Sequence, residues 1–146
     1  MLPINKIYSP IICTDQQRVM QVLLGLQSNA LKFTEKGKVE INIKIIEQFH
    51  EDYLQISVID TGVGIEIEDQ HKLFTLFGFV KDKKKLNTKG IGLGLVISDQ
   101  IVNQFDGKIT FSSTPKQGSK FTFTIKLNKM NDINDLQPST FKNGLN

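Results

Sequence analysis

Two glycine-rich stretches, Asp60-Thr61-Gly62-Val63-Gly64-Ile65 and Gly90-Ile91-Gly92-Leu93-Gly94-Leu95, hold most of this chain's chemically telling residues. Glycine removes Cβ and admits φ > 0, so backbone N–H groups can close around a bound anion. One such cluster is weak evidence. Two clusters, the first opened by a carboxylate and both preceded by Asn29-Ala30-Leu31-Lys32-Phe33, read as the parts of one split nucleotide site. Between them crowd Lys81, Lys83, Lys84, Lys85 and Lys89. A charge run of this kind is ordinarily a solvated loop. The glycines that follow it add weight to another reading, a cationic cover over polyphosphate. No aromatic residues interleave with these lysines to stack on bases, which argues against a nucleic-acid surface.

These residues need elements to position them. Thr14-x-x-Gln17 ahead of an apolar-periodic run predicts a capping box. Val19, Val22, Leu23, Leu26, Ala30 and Phe33 recur at helical spacing, and Glu35-Lys36-Gly37 supplies the stop. Residues 38–45 alternate strictly and predict a strand with one buried face. Leu54, Ile56 and Val58 alternate with Gln55 and Ser57 in a second strand, and Asp60 shares the parity of the apolar three. A carboxylate on the core side of a strand end needs a partner, since an unpaired buried charge is costly. Either a local cap or a ligand would serve.

Residues 66–77 predict a short helix ending in aromatic residues, and 78–89 a loop without periodicity. A longer helix runs from Leu93 through Ile97, Ile101, Val102 and Phe105 to a stop at Asp106-Gly107. Ile109 with Phe111, then Phe121, Phe123, Ile125 and Leu127, form a hairpin across the turn-like Ser113-Thr114-Pro115-Lys116-Gln117-Gly118. Residues 128–146 are polar and aperiodic, a tail or linker. The sum is an α+β chain, a two-layer α/β sandwich with a mixed, mainly antiparallel sheet and helices on one face. A Rossmann fold is excluded, because its G-x-G-x-x-G must directly follow a strand. Here Gly90-x-Gly92-x-Gly94 follows a charged loop.

Composition agrees with one soluble domain. The 146 residues are 39% apolar and 23% charged, with a net charge of +3 and a single arginine, Arg18. No apolar run approaches the roughly 18 residues of a membrane helix, and the opening residues lack a signal-peptide pattern. The chain itself is therefore expected not to insert into a membrane. Cys13 stands alone, which excludes a disulfide framework and a zinc cluster and makes the cytoplasm the default location.

In their order, the motifs resemble the catalytic, ATP-binding domain of sensor histidine kinases. Their superfamily includes DNA gyrase, mismatch-repair ATPases and a heat-shock chaperone, and shares the Bergerat ATP-binding fold. The likeness covers residues 10–127. Residues 1–9 are then a boundary with a dimerisation and acceptor domain, and 128–146 a tail. Residues 21–34 are similar to the asparagine box. The resemblance implies that Asn29 coordinates a Mg²⁺ bridging the phosphates of ATP, that Lys32 neutralises phosphate charge, and that Phe33 lines the adenine pocket. The stretch from Asp60 to Ile65 is similar to the first glycine box. There the aspartate accepts from the adenine amino group, while Gly62 and Gly64 let the backbone close on base and ribose. Leu73-Phe74-Thr75-Leu76-Phe77 resembles the phenylalanine box. Thr88-Lys89-Gly90-Ile91-Gly92-Leu93-Gly94-Leu95 resembles the second glycine box, whose amides face the phosphates. Gly118-Ser119-Lys120-Phe121-Thr122-Phe123 resembles the last box, and Ser119 is expected to reach adenine through water.

The implied reaction is phosphoryl transfer from ATP to a histidine on a helical dimerisation domain, with a response-regulator receiver domain downstream. His50 and His71, the only histidines, are read as surface residues. Gly25 departs from the pattern, since the family usually carries asparagine there. Glycine offers no side chain to Mg²⁺ or phosphate. This favours an alternative reading as a nucleotide-binding module with weak or absent phosphotransfer. A gyrase-like ATPase is disfavoured, because no glutamate base stands at position 25.

Overall fold

In the computed structural model, which describes residues 14–74 and 91–127, the first helix begins one residue later than its capping signal predicts. Helix α1 spans Gln16–Lys32, and its N-cap is Asp15, whose carboxylate accepts from Arg18 N at 3.2 Å. Thr14 is not the cap. The carboxylate satisfies an orphan N–H and also meets the positive end of the helix dipole, an advantage a hydroxyl lacks. Asp15→Ala is expected to cost about 1 kcal/mol in a urea unfolding curve, and Thr14→Ala less than half of that. Val19, Val22, Leu26 and Ala30 are buried, and Leu23 and Phe33 pack against them. The helix ends where Thr34 Oγ1 donates to the Ala30 carbonyl at 2.8 Å, and Gly37, with φ +136°, turns the chain into the sheet.

The strands are β1 (Val39–Gln48), β2 (Glu51–Asp60), β3 (Ile109–Thr114) and β4 (Gly118–Lys126), in the order β1-β2-β4-β3. Every pairing among them is antiparallel, so the mixed sheet expected from sequence is wholly antiparallel among the described residues. Ile56 pairs with Phe123, Val58 with Phe121 and Asp60 with Ser119. These odd and even sets share one face, the face the helices cover. Ser57 and Thr122 face the other way and hydrogen-bond across the strands at 2.8 Å. The expectation of a buried face on β1 holds only in part. β1 is an edge strand, and Ile43 stays exposed on the same face as buried Ile56.

Helix α2 is a single turn, Ile67–Gln70. Beyond it Lys72 N and Leu73 N bond three residues back, to Asp69 and Gln70, so the backbone tightens and delivers Leu73 to the core. The helix expected over 66–77 is therefore shorter among the described residues. Helix α3 spans Ile91–Gln104. It buries Leu95, Ser98, Ile101 and Val102, whereas Ile97 faces outward. The stop at Asp106-Gly107 is observed: Gly107 N bonds back to the Val102 carbonyl at 3.1 Å, with Asp106 at φ 53°.

The two long helices run antiparallel. A Cβ on Gly25 would lie 3.6 Å from Ser98 Oγ, and Arg18 Nη1 donates to Gln104 Oε1 at 2.8 Å. The end of α1 thus lies beside the start of α3, at the same end of the sheet as Asp60 and Ser119. At the opposite end, Leu127 N bonds to the Asp52 carbonyl and Lys126 N to that of Phe105. The chain enters α1 and leaves β4 at this far end. No helix among the described residues is long and apolar enough to cross a membrane.

Candidate functional site

Where α1 ends, α3 begins and the central strands close, a cleft opens. Its walls are mostly apolar: Ala30 and Phe33 from α1, Val58 from β2, Ile65 and Leu73 from the segment around α2, Leu95 from α3, and Phe121 from β4. Phe121 stacks on Phe111 at 5.7 Å between ring centroids, and Phe111 meets Phe74 at 5.9 Å, which stiffens that wall. Three polar side chains interrupt the surface: Asn29, Asp60 and Ser119.

Asp60 is 7% exposed, as its strand parity requires. One carboxylate oxygen accepts from Gly62 N at 2.9 Å. No other hydrogen bond to this carboxylate is seen among the described residues, and Asp60 lines the cleft. Both sequence-level alternatives, local cap and ligand acceptor, are thus compatible in one side chain. Ser119 sits directly opposite Asp60 in the strand register. Its Oγ lies 2.8 Å from Ser113 Oγ, which accepts from Ile65 N at 2.8 Å and donates to the Gly118 carbonyl at 3.1 Å. A hydroxyl has one proton, so Ser119 donates to Ser113 and keeps its lone pairs for the cleft. The cleft floor therefore presents two adjacent acceptors and suits a ligand with a donor group.

The glycines of the first box fit tightly for a reason the sequence did not reveal. A Cβ on Gly62 would overlap the Phe33 carbonyl, and one on Gly64 would overlap that of Thr114. Gly64 also has φ +67°. Their missing side chains admit protein backbone, docking the loop against α1 on one side and the β3–β4 hairpin on the other. Val63 clamps both, its N–H bonded to the Phe33 carbonyl at 3.1 Å and its carbonyl accepting from Lys116 N at 2.7 Å.

The structure brings together Asn29, Phe33, Asp60, Gly64, Ile65, Leu95 and Ser119, with Gly62 immediately behind. Gly92, Leu93 and Gly94 lie in the first turn of α3. Its N-terminus provides amides suited to an anion beside Asn29. Lys32 does not line the cleft; it borders a shallow hollow with Leu24, Gln27, Ser28 and Leu31. Lys89, Gly90, the remaining loop lysines and Thr75 to Phe77 lie outside the described residues. Sequence reasoning missed Val58 and Phe121 as cleft walls and Ser113 as the bridge. The strand parity used for Asp60 would have found the first two.

Among the described residues no group of three or more His, Cys, Asp or Glu is placed to hold a metal ion. The donor set still fits a cation carried by phosphates, because the amide oxygen of Asn29, a residue that lines the cleft, is a hard ligand.

Residues 14–129 match the family described as histidine kinase-, DNA gyrase B- and HSP90-like ATPase. Among relatives, the sensor histidine kinase GacS of Pseudomonas protegens is 39% identical over 120 residues, covering 81% of this chain and 13% of that protein. The sensor histidine kinase RcsC of Escherichia coli is 40% identical over 113 residues, covering 77% of this chain and 12% of the relative. Full-length ShkA, crystallised in complex with AMPPNP, superposes with a TM-score of 0.67 at 30% identity, over 82% of this chain and 24% of that one. The chain thus spans a small fraction of the length of the relatives it matches.

Proposed function

This chain belongs to the histidine kinase-, DNA gyrase B- and HSP90-like ATPase family, and from that premise we propose that it is the ATP-binding catalytic domain of a two-component sensor histidine kinase. It binds Mg²⁺-ATP in the cytoplasm and passes the γ-phosphoryl group to a histidine on a separate helical dimerisation domain. A response-regulator receiver domain is the next acceptor.

The observation that carries this reading is the buried Asp60 carboxylate on the cleft wall, tied to Gly62 N by one oxygen and standing opposite Ser119 in the strand register. Two acceptors at the end of an apolar slot recognise the amino edge of adenine, with Ser119 acting through water. Phe33, Ile65 and Leu95 hold the base, while Gly62 and Gly64 hold the loop that shapes its pocket. The start of α3, with Gly90, Gly92, Leu93 and Gly94, turns amides toward the phosphates, and Lys89 neutralises their charge; Lys32, which borders a separate hollow, is not given that role. Asn29 holds Mg²⁺, which when bound offsets the charge on the phosphate oxygens. Phosphoryl transfer depends mainly on such positioning and neutralisation, so a site of amides, amide oxygen and cations suffices. Calorimetry with ATP and with GTP tests the reading. ATP is expected to bind and GTP, which presents O6 where adenine has its amino group, to bind far more weakly. Equal affinity would count against it.

One observation keeps a second reading, binding without efficient transfer. Gly25 offers no side chain at the α1–α3 seam one turn before Asn29, and a Cβ there would meet only Ser98 Oγ, at 3.6 Å. A Cβ is therefore accommodated at this position. Gly25→Asn is expected to raise transfer to a helical acceptor domain supplied in trans by about tenfold, the worth of one well-placed polar contact to phosphate or metal. No gain would assign the limit elsewhere.

A further inference from the structure

Beside the cleft, one hydroxyl joins three segments of the chain. Ser113 Oγ on β3 accepts from Ile65 N at 2.8 Å, donates to the Gly118 carbonyl at 3.1 Å and lies 2.8 Å from Ser119 Oγ. Those three contacts use its one proton and both lone pairs. Gln70, the last residue of α2, holds the same two residues through their backbone. Its Nε2 donates to the Ile65 carbonyl at 3.0 Å and to the Ser113 carbonyl at 3.2 Å, which uses both amide protons. Ile65 is thus fixed at its N–H by Ser113 and at its carbonyl by Gln70. Of the groups so joined, Ile65 and Ser119 line the cleft, whereas Ser113 does not.

We infer that Ser113 is a positioning residue that sets which purine the cleft prefers, acting through Ser119, and that Gln70 holds it in place. The inference rests on the adenine reading above and names what fixes the polarity of that site. Ser113 gives its proton to Gly118, so the Ser119 proton turns to Ser113 and only Ser119 lone pairs remain for the cleft. Such an acceptor suits a donor at the purine 6 position, directly or through a water that relays the polarity. Adenine carries an amino group there, and hypoxanthine a carbonyl. With alanine in place of Ser113, the Ser119 proton loses its acceptor and can turn to the cleft. A 6-carbonyl then gains a donor, and a 6-amino group loses a fixed acceptor. Asp60 keeps its bond to Gly62 N, so the preference for adenine should narrow rather than vanish. The same variant leaves Ile65 N without its partner, but that loss weakens every nucleotide alike.

The test is calorimetry of the full chain with ATP and with inosine triphosphate, both with Mg²⁺, reading the ratio of the two Kd values. Wild type should favour ATP by about fiftyfold or more. Ser113→Ala should narrow that ratio about fivefold, the worth of one oriented hydrogen bond. Ser113→Thr keeps the hydroxyl and should keep the ratio. Gln70→Met, of similar length but without donors, should narrow it about twofold. A purely structural role would lower both affinities together and leave the ratio unmoved. A wild-type ratio near one sinks the adenine reading itself, and this inference with it. A wide wild-type ratio that Ser113→Ala leaves unchanged, or a narrowing that Ser113→Thr shares, overturns the inference alone. A ratio indifferent to Gln70→Met overturns the part given to Gln70.

Discussion

Asp60→Asn is expected to lower ATP affinity by about two orders of magnitude while leaving the fold intact. The asparagine carbonyl can keep the bond to Gly62 N that Asp60 makes at 2.9 Å. The oxygen facing the cleft becomes an NH₂ group, setting donor against donor at the adenine amino edge. A charged hydrogen bond is lost and a buried polar clash replaces it, which is worth about 2–4 kcal/mol. Calorimetry on the variant measures the loss, and its unfolding curve should move little. Unchanged ATP affinity would remove Asp60 from base recognition and leave it as a loop cap.

Gly64→Ala is expected to act on stability and binding together. Alanine at φ +67° costs about 1–2 kcal/mol. Its Cβ would also overlap the Thr114 carbonyl, which belongs to backbone and cannot swing aside. Displacing the β3–β4 turn adds a comparable penalty, for a total of about 2–4 kcal/mol in urea unfolding. The turn carries Ser113 and leads to Ser119, so the acceptor pair is disturbed and ATP should bind more weakly even in protein that remains folded. An alanine variant as stable as the parent would mean that the loop does not dock on the hairpin.

Much of this was legible in the chain because period and parity are local properties. Alternation identified β2 and β4, and the parity of Asp60 with Leu54, Ile56 and Val58 set its carboxylate toward the helices before any contact was known. The family resemblance gathered Asn29, Asp60 and Ser119 into one site, and the cleft contains all three. What escaped was set by tertiary neighbours. Ile43 alternates as faithfully as Ile41, yet on the outer strand of the described sheet none of the described helices covers it. Ile97 has helical spacing, but the face of α3 is decided by where α1 and β4 lie, and Leu95 and Ser98 turn inward instead. Asp15 displaced Thr14 as cap because adjacent residues both carried the signal, and the charged one gains more from the dipole. Gly62 and Gly64 were recognised as necessary, but against a ligand. Phe33 and Thr114, the backbones they admit, lie far off in sequence and cannot be read from a motif.

The separation between the cleft and the far end, toward which residues 14 and 127 both lie, has a mechanical consequence. β2 alone runs 10 residues between those ends, roughly 30 Å. An acceptor leashed at either end starts a whole strand's length from the phosphates, and must swing around the module before its imidazole meets them. Leash length and stiffness would then set the tempo of a turnover, and an untethered acceptor arriving from solution would escape that delay.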